Sequence, residues 1–228
     1  MKNIKNLGEL ADAAKAAADR AAKSIDDSLS FIEESNLRIA ALEKVPLQKI
    51  TLTEFLAWEE HQTERHEFFG GETFAMLGGT ARHNRVILNL ASRIGDHLDG
   101  TPCQVFAQSM KVQIAEGVLY PDVMVTCGKA EAGDEQTVRD PALIVEVLSP
   151  GAYGYDKREK FIVYRALPSL REYVLIDSLR RQVEVFTLAE GASWVLTDQT
   201  GCVDLSLSSI DCKLPMVFVF KGVESAAI

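Results

Sequence analysis

The spacing of apolar residues changes several times along this chain, and each change marks a different element. In ARHNRVILNLASRIGDHL, residues 81–98, Ile87, Leu90, Ile94 and Leu98 recur at threes and fours. That spacing predicts an amphipathic helix, with Thr80 as its N-cap. Just upstream, RHEFFGGETFAMLG reads as a hairpin turned at Gly70-Gly71. A short helix through EFLAWEE precedes it, capped by Thr51 or Thr53. Strand-like runs follow at 103–115, 120–127 and 142–148, then a helical DKREKFIVYRAL, then the strands EYVLID, QVEVFTL and SWVL. This order predicts an α/β domain with a mixed sheet flanked by helices.

Residues 7 to about 44 are patterned differently: Ala-rich, without Pro, and with small or apolar residues at alternating threes and fours from Leu7 to Leu42. Ser28 and Ser35 interrupt that seam, and Pro46 ends the segment. The division is therefore an N-terminal helical extension over 1–47 and a folded domain over 48–228. The extension has three readings: a coiled coil that makes the chain a homodimer or higher homo-oligomer, a helix packed on its own domain, or a partly frayed tail.

One run contains a charge where the pattern argues against one. PALIVEVLSP, residues 141–150, is apolar almost throughout and suits a strand buried on both faces, yet Glu146 sits in its middle. An unpaired buried carboxylate costs on the order of several kcal/mol, so Glu146 needs a proton, a partner or a cation. A second acid, Asp122, opens the strand YPDVMVT. If the two strands are neighbours, the acids repel unless something bridges them. A divalent cation such as Mg2+, with Mn2+ as an alternative, takes one or two carboxylates and completes its shell with water or phosphate. The plainer alternative has Asp122 capping its strand and Glu146 meeting an arginine. In DKREKFIVY, Asp156, Lys160 and Tyr164 share one helical face, which could turn Lys160 back toward Glu146. Inward-facing His83 and the hairpin acid Glu67 are auxiliary candidates.

Composition narrows these readings. Of 228 residues, 47 % are hydrophobic and 25 % charged, the balance of a globular domain, and no apolar run approaches the ~20 residues that span a bilayer. No signal-peptide core is present, so a cytoplasmic protein with no membrane partner is expected. A net charge of −9 argues against a broad nucleic-acid-coating surface. Yet YDKREKFIVYRALPSLR gathers five Lys or Arg against two acids, leaving room for a local basic groove. The four scattered cysteines, without a CxxC pair, read as small core hydrophobes in a reducing compartment.

YPDVMV, PALIVEVLSP and YDKREKFIVYRALPSLREYVLID, in that order, resemble the Uma family of restriction-type endonucleases within the PD-(D/E)XK nuclease superfamily. HEFFGGETFAMLGGTARHNRVILNLASRI and the closing LPMVFVFKGVE extend the resemblance to roughly residues 50–225. It implies a restriction-endonuclease-like core and a Mg2+-dependent site hydrolysing phosphodiesters, with DNA as partner. Asp122 then corresponds to the acid of the PD element and Glu146 to that of the (D/E)XK element. The superfamily's usual lysine position is Leu148 here, and Lys160 on the following helix stands in for it. Glu67 would join the metal shell, His83 a metal water or phosphate, and Arg158, Arg165 and Arg171 the phosphates beside the cut. The alternative is a catalytically silent binding or regulatory module of the same fold that oligomerises through its N-terminal helix.

Overall fold

The computed structural model describes residues 50–76, 78–115, 117–128, 136–148 and 160–223. The Ala-rich extension, the boundary at 47, Asp156 and Arg158 lie outside the described residues. Helix α1 (Leu52–Glu59) opens on a capping box, in which the Thr51 side chain accepts from the Glu54 N–H while the Glu54 carboxylate accepts from the Thr51 N–H. Strands β1 (His66–Phe69) and β2 (Glu72–Ala75) form the expected hairpin. Its two-residue turn holds Gly70 and Gly71 at φ 63° and 82°, a conformation that glycine adopts without a Cβ penalty. Helix α2 spans Ala81–Leu98 with Thr80 as N-cap and buries His83, Val86, Ile87, Leu90, Ile94 and Leu98.

One of the expected strands is broken in two, and another begins later than expected, with an unexpected short strand before it. The 103–115 stretch becomes β3 (Cys103–Ala107) and β4 (Lys111–Ile114), parted near Gln108, whose φ of 57° turns the chain from one sheet into another. The chain then enters β5 (Gly117–Leu119), passes Tyr120, Pro121 and Asp122, and resumes as β6 (Val123–Cys127). After β7 (Thr137–Val138) and β8 (Pro141–Leu148) come α3 (Phe161–Tyr164), β9 (Glu172–Asp177), β10 (Gln182–Leu188) and β11 (Trp194–Asp198). A hairpin of β12 (Asp204–Leu207) and β13 (Cys212–Pro215) and the helix α4 (Met216–Val219) complete the described chain.

The α/β class with a mixed sheet holds, but a second sheet covers part of it. The central sheet runs β11-β10-β9-β8-β6-β3, with β8 and β9 parallel and the other pairs antiparallel. One face carries Val123, Val145, Val174 and Val185 and packs under the apolar stripe of α2. The opposite face carries Met124, Ile144, Leu148 and Leu175 and packs on Tyr164, Leu167 and Leu170, and on Val112, Leu119 and Val138 of a five-stranded sheet ordered β2-β1-β5-β4-β7. Strand β8 is thus buried on both faces, as its composition requires.

The cysteines correct the sequence reading. Cys103 and Cys127 are register partners on β3 and β6 and form a disulfide, Cys202 is exposed, and Cys212 alone fits a buried hydrophobe. A separation of 24 residues conceals a pairing that only the strand register creates. Among the described residues no helix is long and apolar enough to cross a membrane.

Candidate active site

The antiparallel pairing of β6 and β8 sets Val123 opposite Val145. Asp122 and Glu146 each lie one residue beyond that pair, so two acids far apart in sequence come to adjacent strand positions. The side chain of Glu146 alternates with Ile144 and Leu148 onto the face under α3, and the residue is only 5 % exposed. Its compensation is local. The Tyr164 hydroxyl donates to Glu146 Oε1 at 3.1 Å, and Lys160 Nζ lies 3.6 Å from the same oxygen. Lys160 and Tyr164 stand four residues apart at α3, so one helical face delivers both groups.

Lys160 also reaches the other sheet. Its Nζ is 3.0 Å from both carboxylate oxygens of Glu67 on β1, and the Tyr120 N–H donates to Glu67 Oε1 at 3.0 Å. Glu67 is therefore a buried partner of the lysine rather than a surface strand acid. The ammonium joins carboxylates from two sheets, and each side chain in this triad is less than a tenth exposed. At Tyr164, burial first, and then the Glu146 charge, push the phenol well above its ordinary range, so it stays a protonated donor.

The opposite side of Asp122 is held from the central sheet and from α2. Its Oδ2 accepts from the Val147 N–H at 2.8 Å and lies 3.1 Å from His83 Nε2. His83 sits in the first turn of α2, its backbone N–H bonded to the Thr80 cap. Its Nδ1 is buried with no hydrogen-bond partner among the described residues. That nitrogen lies against the backbone of Gly79, where an added Cβ would stand 2.3 Å from it. A close approach of backbone to imidazole thus requires glycine there.

The structure therefore groups Asp122 with His83, and Glu146 with Lys160 and Glu67, and the β6–β8 register sets the two groups at adjacent strand positions. The arginines differ. Arg165 is exposed beside Phe161. Arg171 spends its guanidinium on the Pro168 and Leu170 carbonyls, just before β9. Because Glu172 pairs with Leu143 and Leu175 with Glu146, Arg171 is at the far end of the parallel pair, roughly 13 Å along the strands at ~3.3 Å per residue.

Sequence reasoning passed over two further groups. Tyr164 was visible only as a neighbour of Lys160 on its helix face. His66, which is not among the sequence candidates, is buried and bonded through Nδ1 and its N–H to Glu59 on α1. Tyr120 lies beside them, its phenol pushed up by burial and by the Glu59 charge. The signal for His66 was the two-residue alternation of β1, which turns it away from Glu67.

Comparison with known proteins identifies the scaffold. A family model described as "Uma2: Putative restriction endonuclease" matches residues 52–210. The chain belongs to this family. The Uma2 match contains Glu67, His83, Asp122, Glu146 and Lys160, and it stops short of the closing LPMVFVFKGVE. Two uncharacterized proteins of Synechocystis sp. are similar: one is 33 % identical over 81 % of this chain and 98 % of its own length, the other 38 % identical over 67 % and 88 %. A solved structure described as a "putative nuclease belonging to DUF820" from Anabaena variabilis superposes with a TM-score of 0.58. It covers 75 % of this chain and 97 % of its own at 17 % identity, a likeness of fold. The chain is thus a restriction-endonuclease-like member of Uma2.

Proposed function

We propose that this Uma2 protein is a Mg2+-dependent endonuclease that hydrolyses phosphodiester bonds in DNA, with Mn2+ able to substitute. The observation that carries the reading is the placement of Asp122 and Glu146 at adjacent strand positions, with a buried lysine beside Glu146. The donor set suits a hard cation, since both acids offer oxygen, and Asp122 Oδ1 takes no hydrogen bond among the described residues. Among the described residues no three His, Cys, Asp or Glu side chains form a cage, so Mg2+ would have two protein carboxylates here, in keeping with its preference for water and phosphate. When bound, the ion supplies Lewis acidity and a water of lowered pKa.

The chain's own residues do the positioning. His83 and the Val147 N–H fix one oxygen of Asp122, while Tyr164 and Lys160 fix Glu146. Lys160 already donates toward two carboxylates, so its part is to offset negative charge at the site rather than to remove a proton. Hydrolysis joins a water oxygen to phosphorus and breaks the bond to a sugar oxygen, and a preformed positive group lowers the barrier to that charge build-up. Exposed Arg165 suits a flanking phosphate.

Plasmid DNA incubated with the purified chain and Mg2+ tests the reading. Cleavage that chelation stops and that is lost in Glu146→Ala and Asp122→Ala supports it. No cleavage of DNA with Mg2+ or Mn2+, together with no metal binding by calorimetry, would leave a nuclease-fold binding module instead. We further propose that residues 1–47 assemble the chain into a homo-oligomer, which light scattering of the full chain against one starting at residue 48 examines.

A further inference from the structure

Of the two groups among the described residues that are seen to meet Oε1 of Glu146, the phenol is the nearer. Lys160 Nζ lies 3.6 Å from that oxygen but only 3.0 Å from Glu67, so its closer attachment is to the other sheet. The Tyr164 hydroxyl stands 3.1 Å from Glu146 Oε1 and points its proton at it. We propose that Tyr164 is a positioning residue of the nuclease site, whose hydroxyl fixes the rotation of the Glu146 carboxyl and so presets it for a divalent cation. This inference rests on the metal-dependent reading above.

Two observations support it. Tyr164 is fully buried, so no water replaces its hydrogen bond if the hydroxyl is lost. Its ring is clamped, with the Tyr173 ring centroid 5.7 Å away and the second core cluster around it, so the hydroxyl cannot swing off the carboxylate. Donors to metal-bound carboxylates are what orient such ligands. A tyrosine that merely filled space would not need its oxygen at a carboxylate, because phenylalanine fills the same cavity.

Tyr164→Phe keeps the ring and removes only the hydroxyl. Calorimetric titration with Mn2+ is expected to show about 10- to 100-fold weaker binding by the variant, the range for losing a group that orients a metal ligand. In DNA cleavage the loss should fall on kcat, with KM for DNA near wild type, because Tyr164 is buried away from the polymer. Wild-type and variant Mn2+ affinities within twofold of each other would overturn the role of Tyr164 and leave the nuclease reading standing. A wild-type chain that binds no Mn2+ overturns both. If the variant does not fold, the wild type supplies the second measurement: the shielded Tyr164 hydroxyl proton should give a resolved NMR signal that shifts on adding Mg2+. A signal that Mg2+ leaves unmoved overturns the inference.

Discussion

Lys160 Nζ lies 3.6 Å from Oε1 of Glu146, with both side chains more than nine-tenths buried. The same ammonium holds Glu67, so one positive charge serves two buried negative ones. Lys160→Met should therefore do more than blunt activity. It removes the ammonium that both buried carboxylates contact, and breaking a buried pair in this way costs about 3–5 kcal/mol. Urea unfolding at neutral pH should show that loss, and adding Glu67→Gln to the variant should restore part of it. A loss below about 1 kcal/mol would mean that water reaches the carboxylates and that the ammonium is not what stabilises them.

Gly79 and Gly78 differ in a way that a pair of variants can read. An alanine methyl at 79 would press on His83 Nδ1, while one at 78 meets nothing within 4 Å. Gly79→Ala should move the imidazole off Asp122 and lower DNA cleavage by about tenfold or more, as misplacement by an ångström can cost more than that. Gly78→Ala should behave as wild type. Circular dichroism and the His83 ring signals in NMR distinguish a local shift from unfolding.

Glu172 supports the fold away from the site. Its buried carboxylate accepts from the N–H and hydroxyl of Ser208, the N–H and hydroxyl of Ser209, and the Thr187 hydroxyl. Removing the acceptor leaves the N–H groups of exposed Ser208 and half-buried Ser209 without their partner, each worth about 1–3 kcal/mol where water does not take its place. Glu172→Ala is therefore expected to lose about 2–4 kcal/mol in denaturant unfolding, and Glu172→Gln less, because it keeps one acceptor oxygen.

Glu54 gives a local pH dependence. The Thr51 N–H, followed by its hydroxyl, holds the Glu54 carboxyl below its usual 4.5. A depressed folded-state pKa stabilises above the unfolded value, and that support is lost as pH falls through the lower folded value. The Thr51 amide signal in NMR should accordingly titrate with a midpoint below 4.5, and Glu54→Gln should abolish that titration. A midpoint at or above 4.5 would mean that the capping box does not form in solution.

Much of the fold was legible because it is local. Periodicity marks α2, the Gly70-Gly71 pair marks the hairpin, and the apolar composition of β8 marks a strand covered on both faces. The break at Gln108 and the short β5 were not legible: at Gln108 the chain passes between sheets while each flank still reads as strand, and three residues are too few to show a period. The hairpin of β12 and β13 escaped for a related reason: runs of four residues carry too little periodicity to separate from loop.

The sequence by itself determined that Glu146 needs a partner, since a carboxylate inside an apolar strand is too costly to leave alone, and its motifs named Asp122 and Lys160 as candidates. Which groups meet was decided by tertiary structure. Register sets Asp122 beside Glu146, packing of the second sheet brings Glu67 to Lys160, and the turn at Gly79 seats His83 against Asp122. These contacts link residues from separate elements, up to 93 positions apart, and no spacing rule acts over such a distance. The same holds for Cys103 and Cys127, joined only because two strands align. Local pattern reports what each segment must bury, and the fold alone chooses what it is buried against.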